Sequence, residues 1–143
     1  MGIQSTKKEK EDTMKKILTI VATIVLAIGA FAEPSDKLIN ALVRVESGGR
    51  AAVVGDNGKA VGILQIHKCV IDDVNRIYKT TYTYADRTNP IKSREICKKY
   101  LTHYAGKNAT DEKYARVWNG GPKGHTKKAT EKYWARVKAA LGK

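Results

Sequence analysis

The 143-residue sequence has few cysteines, few acidic residues and no long uninterrupted apolar segment. Its only cysteines are Cys69 and Cys97, too few to indicate the usual ligand pattern of a zinc site, and we predict none. We also expect no cofactor. The longest apolar stretch, residues 17–32, is shorter than the roughly 20 residues that a membrane span requires. These shortages argue against a zinc module and against a transmembrane helix.

The shortage of acids leaves a strongly basic chain. There are 14 Asp and Glu against 27 Lys and Arg, a net charge of +13. Such a surface attracts polyanions, including nucleic acid, anionic lipid and acidic cell-wall polymers, and composition alone does not choose among them. Hydrophobic residues make up 42% of the chain, which is ordinary for one globular domain of this length.

The first 32 residues of the chain have the pattern of an export signal. From Met14 the sequence reads MKKILTIVATIVLAIGAFAEP, with two lysines, an apolar stretch and an Ala-Phe-Ala ending at Ala32. This pattern predicts a Sec signal peptide, with an uncleaved signal anchor as the alternative. We therefore expect residues 1–32 to be an N-terminal extension and signal, and residues 33–143 to form one periplasmic, wall-associated or extracellular domain.

Export also bears on the two cysteines. Cys69 and Cys97 both lie in the exported part, and an even count in an exported protein predicts a disulfide between them. The alternative is a pair of buried free thiols.

The exported part is predicted to be mainly α, a compact bundle of short helices with a turn-rich or small β segment beside a cleft. Ser35 is placed to cap the first helix, which Gly48 and Gly49 end. Weak strand signals occur at residues 51–54 and 82–84. The other predicted helices are 67–78, a helix capped by Asn89, 111–121 and 127–141.

One glutamate breaks the pattern of the first helix. Leu38, Ile39, Leu42 and Val43 form an apolar stripe, and Glu46 falls in the middle of it. Apolar surroundings and the carboxyl end of the helix dipole both disfavour the charged form, so the pKa of Glu46 should rise. A carboxyl group that stays protonated near neutral pH is suited to general acid catalysis. The alternative is a solvated glutamate at a fraying helix end.

Three motifs give the sequence a family resemblance. They are Glu46-Ser47 at the end of a helix, Gly62-Ile63-Leu64-Gln65, and Trp118-Asn119-Gly120-Gly121. In this order, over about residues 36–141, they resemble the lysozyme-like family of soluble lytic transglycosylases and goose-type lysozymes. Leu64 and Trp118 depart from the Met and Tyr that are commoner in that family.

The resemblance implies that Glu46 protonates the glycosidic bond between N-acetylmuramic acid and N-acetylglucosamine in peptidoglycan. A lytic transglycosylase, which we expect first, needs only this carboxylate and leaves 1,6-anhydromuramic ends. A goose-type-like muramidase uses water, with Asp56 as the assisting carboxylate. Asp56 is equally well explained as a turn residue in Asp-Asn-Gly.

Five further side chains are expected to contact the substrate. Gln65 and Asn119 offer hydrogen bonds, Ser47 lies beside the general acid, and Trp118 and Tyr133 offer flat faces to sugar rings. His67, His103 and His125 are isolated in sequence and are interpreted as surface or structural residues.

Two other functions remain open. A wall-binding module with an idle Glu46 would keep the same groove, and a cationic protein acting on nucleic acid or membranes would suit the charge, although the export signal argues against nucleic acid. The expected partners are therefore peptidoglycan strands and anionic wall polymers, bound by a monomer.

Overall fold

The computed structural model describes residues 6–17 and 32–143, and the predicted signal sequence lies mostly outside these ranges. The chain divides into two units, Met1–Phe31 and Ala32–Lys143. In the first unit, residues 6–17 are helical (α1). Across the described ranges, no helix is both long and apolar enough to cross a bilayer.

The second unit is a set of five short helices around one core. The core comes from the apolar faces of all five helices and from the turn between β2 and α3. A hairpin of two very short strands, β1 (Val54–Gly55) and β2 (Ala60–Val61), pairs antiparallel. The helices are α2 (Asp36–Glu46), α3 (Lys68–Tyr78), α4 (Pro90–Tyr104), α5 (Asp111–Gly120) and α6 (Glu131–Leu141).

Two of the predicted helix starts are confirmed at atomic detail. The Ser35 hydroxyl accepts from the backbone N–H of Leu38 at 3.2 Å. The Asn89 side chain accepts from the N–H groups of Ile91 and Lys92 at 3.0 and 3.1 Å, with Pro90 at the first helical position. Each cap satisfies backbone donors that have no partner within the helix.

The segment after β2 is held in place by one buried arginine. Gly62 has φ +84°, and a Cβ there would overlap the carbonyl oxygen of Arg87, so only glycine fits. The guanidinium of Arg87 donates to the carbonyls of Lys59 and Ile66, both at 3.2 Å. Arg87 thereby ties the hairpin to the segment that leads into α4.

Three predictions about secondary structure are wrong. Residues 51–54 do not form a strand, since residues 51 and 52 form a turn and β1 begins only at Val54. Residues 82–84 form no strand. The Asn75 side chain donates a hydrogen bond to the carbonyl of Tyr82 and accepts one from its N–H, so neither backbone group is available to pair with a neighbouring strand. The last helix begins at Glu131 rather than at residue 127. The carbonyl of Lys127 accepts from the backbone N–H of Thr130 at 3.1 Å and from the Arg116 guanidinium at 3.0 Å, so residues 128–130 form a 3-10 turn rather than the first turn of the helix.

The predicted disulfide is also wrong, because Cys69 and Cys97 are both free. Cys97 lies on the inner face of α4 and is completely buried in the core, whereas Cys69 is exposed at the start of α3. The thiols therefore face different surroundings. Burial raises the pKa of the Cys97 thiol well above its ordinary value.

Candidate active site

An open cleft of about 440 Å³ lies between the hairpin side of the domain and helix α5. It brings together residues from α2, the hairpin, α3, α4 and α5. Of the predicted site residues, Glu46, Asp56, Gln65, Trp118 and Asn119 line it. The rest of the lining is Ala60, Ile66, His67, Cys69, Val70, Tyr100 and Gly121.

Glu46 lies at the last position of α2, with its side chain half-buried at the cleft wall. Its Oε1 accepts a hydrogen bond from the hydroxyl of Tyr133 at 2.6 Å. Tyr133 is buried on α6 and does not line the cleft, so it supports the carboxyl group from behind. This contact joins residues 87 positions apart in the chain.

The surroundings of Glu46 have opposing effects on its pKa. Burial raises its pKa and is the strongest influence. Hydrogen bonds from Tyr133 and from the Trp118 indole, and the positive charge of Arg136, lower it, but the net shift is upward. The direction is therefore the one that the apolar stripe of α2 predicted, and it favours a carboxyl group that keeps its proton longer as the pH rises.

Asp56 lies in the turn of the hairpin, on the same cleft as Glu46. Its backbone has φ +48°, and the next residue, Asn57, has φ +53°. The Asp56 carboxylate lies 3.5 Å from Nε2 of His67, and both side chains are about half exposed. Asp56 therefore belongs to the hairpin turn, lines the cleft, and lies next to His67.

Ser47 and Gln65 are occupied by the protein's own backbone. The Ser47 hydroxyl is buried, donates to the carbonyl of Ile63 at 2.8 Å and accepts from the N–H of Gly49 at 3.1 Å. The Gln65 amide donates to the carbonyls of Val53 and Gly62 at 3.1 and 3.0 Å. Both side chains fix the loop beside Glu46, and Gln65 also faces the cleft.

Trp118 and Asn119 come from the end of α5. Trp118 is half-buried and meets Tyr100 edge to face, with ring centroids 5.8 Å apart. Asn119 is exposed, and within the described residues its side chain makes no hydrogen bond. The cleft therefore offers one fixed aromatic wall and one amide that is free to meet a ligand.

The sequence interpretation missed the positions of His67 and Arg136. His67 is not an isolated surface residue, since it lines the cleft and faces Asp56. Arg136 donates to the carbonyl of Val45 at 3.0 Å, which places its charge beside the end of α2. No sequence pattern marks either contact, because each depends on how distant segments pack. In the described ranges, no cluster of three acidic, histidine or cysteine side chains is arranged to hold a metal.

Comparison with known proteins gives three concordant results. A family model described as "Transglycosylase SLT domain" matches residues 29–140. The lysozyme of Ostrea edulis is 29% identical over 126 residues, which cover 83% of this chain and 90% of that protein.

Two solved structures share the fold. One is the crystal structure of Tapes japonica lysozyme, with a TM-score of 0.60 and 29% identity over 72% of this chain and 87% of that one. The other is the complex of Aeromonas hydrophila PliI with Meretrix lusoria lysozyme, which contains a chain with a TM-score of 0.63 and 25% identity. That match covers 73% of this chain and 88% of the other.

Proposed function

Because the chain belongs to the transglycosylase SLT domain family, and is thus a peptidoglycan-degrading lytic transglycosylase or lysozyme, we propose that it is a muramidase. The proposed reaction is hydrolysis of the β-1,4 bond between N-acetylmuramic acid and N-acetylglucosamine. The observation that carries the proposal is the presence of two carboxyl groups, Glu46 and Asp56, on one cleft of a lysozyme-like fold.

Glu46 is the general acid. It gives its proton to the glycosidic oxygen as the bond to C1 of the muramic residue breaks, and the raised pKa keeps that proton available near neutral pH. Tyr133 positions the carboxyl group through its hydrogen bond, and Trp118 lines the cleft beside it. Arg136 lies beside the end of α2, and its positive charge stabilises the negative charge that Glu46 carries after it has given up its proton.

Asp56 is the second carboxylate of the reaction. Its exposed side chain faces the cleft, where it either stabilises the positive charge that develops at C1 or accepts a proton from the attacking water. The water oxygen then bonds to C1, and the product has a reducing end. His67 is a positioning residue that holds the Asp56 carboxylate on the cleft side of its turn.

Transglycosylation is the second candidate and was the first expectation from the sequence. Transglycosylation is favoured by the name of the matching family and by the fact that it needs only one acid, the half-buried Glu46. In that reaction the muramic 6-hydroxyl attacks C1 and gives its proton to the Glu46 carboxylate, so Asp56 is not required. The two lysozyme structures and the cleft position of Asp56 favour hydrolysis instead.

Mass spectrometry of peptidoglycan digested by the full chain distinguishes the two reactions. Hydrolysis gives reducing muramic ends, which take up ¹⁸O when the digestion is run in labelled water. Transglycosylation gives 1,6-anhydromuramic ends that are lighter by one water and carry no label. We expect reducing, labelled ends.

Asp56→Asn tests the second carboxylate in the same assay. We expect hydrolysis to fall about 10²-fold or more, the usual contribution of a positioned acid or base. Asp72→Asn is the matched control, because Asp72 is an exposed acid on α3 that lines no part of the cleft. Anhydro ends in the parent would overturn hydrolysis in favour of transglycosylation. Full activity in Asp56→Asn would show that Asp56 is not the second carboxylate.

The place of action is also part of the proposal. The signal pattern before residue 33 and the peptidoglycan substrate both support export of residues 33–143 through the Sec pathway. Determining the N-terminus of the protein recovered outside the cytoplasm tests this directly, and a start at Glu33 is expected.

A further inference from the structure

A second cavity, of about 350 Å³, opens beside the catalytic cleft. We call it the side cavity, and it is lined by Asn57, Gly58, Lys59, His67, Lys68 and Cys69. His67 and Cys69 line both spaces, so the side cavity adjoins the cleft at these two residues. The mechanism described above makes no use of this space.

The lining of the side cavity is cationic. It contains two lysines, Lys59 and Lys68, and no acid, since Asp56, 3.5 Å from His67, lines the catalytic cleft instead. Among the ion pairs of the described residues, neither Lys59 nor Lys68 takes part. Neither lysine is therefore held in a close ion pair within the part of the chain that the structure describes.

The surroundings of Lys68 keep its charge near the cavity. Its Nζ lies 4.9 Å from the centroid of the Tyr84 ring, an attractive cation–π contact that leaves the charge in place. Asp72, one turn along α3, accepts a hydrogen bond from the Tyr84 hydroxyl at 2.9 Å and lines neither space.

We propose that the side cavity binds a carboxylate of the side chain that N-acetylmuramic acid carries, and that this makes the enzyme prefer muramyl glycans to neutral ones. The inference rests on the proposed function, since it assumes that a glycan strand occupies the cleft. Every muramic residue has a lactyl ether at C3, which points away from the strand and ends in a carboxyl group or in a stem peptide. Lys59 and Lys68 supply the opposite charge where such a side chain leaves the cleft.

Calorimetric binding to the full chain carrying Glu46→Gln tests the inference without cleavage of the ligand. Three hexasaccharides are compared at low salt: chitohexaose, a peptide-free muramyl glycan with free lactyl carboxylates, and the same glycan with stem peptides. We expect at least one muramyl ligand to bind about three- to tenfold more tightly than chitohexaose, the range expected for two exposed charge contacts. Equal affinity of the two muramyl ligands identifies the lactyl carboxylate, and a preference for the third ligand alone identifies the stem peptide.

Lys59→Gln with Lys68→Gln, added to the same background, should abolish the preference. Lys37→Gln with Lys79→Gln removes two exposed lysines that line neither space, and should keep it. In the parent, the preference should also shrink between about 0.02 and 0.5 M salt, because exposed charges are then screened.

Three outcomes would overturn the inference. These are no preference in the parent at low salt, a preference that survives the Lys59 and Lys68 substitutions, and a preference that the Lys37 and Lys79 substitutions remove equally. In each of them chitohexaose still binds, so the proposed function stands. Failure of all three glycans to bind would instead contradict the glycan cleft, and the proposed function with it.

Discussion

At the residue scale, Glu46 shows how much of the site is present in the sequence. Its place in the apolar stripe of α2 predicts a carboxyl group in a poorly solvated position, and the upward pKa shift in the structure has burial as its main cause. Its partners could not be predicted in the same way. The sequence indicated Tyr133 as a flat face for a sugar ring, but in the structure it is buried and does not line the cleft. Only the packing of α6 against α2 brings its hydroxyl to Glu46.

The raised pKa of Glu46 makes the stability of the fold depend on pH. Below the pKa of Glu46 in the unfolded chain, the carboxyl group is protonated in both states and burial costs little. As the pH rises from that value through the higher folded pKa, the unfolded chain releases the proton more readily, so the free energy of unfolding falls. Glu46→Gln cannot ionise and should escape this loss.

We therefore expect the Tm of Glu46→Gln, relative to the parent, to increase between pH 4 and pH 8. Thermal unfolding followed by circular dichroism measures the difference at each pH. Glu131→Gln, an exposed glutamate at the start of α6, is the control and should show no such trend. A difference that stays constant or shrinks over this range would contradict the burial of Glu46.

Tyr133→Phe tests the hydroxyl that supports the acid. The Tyr133 hydrogen bond lowers the pKa of Glu46, so its loss should raise that pKa and move the alkaline limb of the pH–activity profile to higher pH. The kcat should fall because the carboxyl group is less well positioned. Measuring kcat and KM from pH 4 to 9 checks both effects, and Tyr114→Phe, whose hydroxyl bonds only to backbone carbonyls away from the cleft, is the control. A limb that stays in place would mean that the hydrogen bond does not act on Glu46.

At the element scale, prediction succeeded where the signal is local. The caps at Ser35 and Asn89 satisfy N–H groups two or three residues away, so the sequence carries the whole interaction. The prediction failed where distant side chains compete for the backbone. The Asn75 side chain forms hydrogen bonds with both the N–H and the C=O of Tyr82. No known local sequence motif indicates that these two residues would interact.

Gly62→Ala should damage the loop beside the active site. The new Cβ would overlap the Arg87 carbonyl and would also strain a backbone with φ +84°, so we expect a loss of about 3 kcal/mol or more. Gly58→Ala is the matched control, because it has φ +90° but open space around its Cβ, and should lose only about 1–2 kcal/mol. Urea unfolding measures both losses. Equal losses would show that the close approach to Arg87 contributes nothing.

At the scale of the whole molecule, basic charge concentrates in the last third of the chain. Residues 113–143 contain nine Lys or Arg and a single acid, Glu131. We call the exposed part of this set the basic surface, formed by Lys123, Lys127, Lys128, Lys132, Arg136, Lys138 and Lys143. Carboxylates and phosphates of the cell wall are its expected partners, and the attraction would raise both encounter and retention.

Lys128→Glu with Lys138→Glu tests the basic surface. We expect activity on intact walls to fall about fivefold or more and activity on soluble muropeptides to change by less than about twofold, since only the polymer offers many charges at once. Lys37→Glu with Lys79→Glu makes the same change in net charge elsewhere and should affect wall activity less. Equal losses on both substrates would mean that the basic surface does not retain the enzyme on the wall.

The most direct test of the whole account is the turnover of peptidoglycan by Glu46→Gln. Gln keeps the size of the side chain and can still accept from Tyr133, but it has no proton to give. We predict that turnover falls about 10²- to 10⁴-fold, while the circular dichroism spectrum and the binding of chitohexaose persist. A folded Glu46→Gln protein that keeps more than about a tenth of the parent's turnover would contradict Glu46 as the general acid.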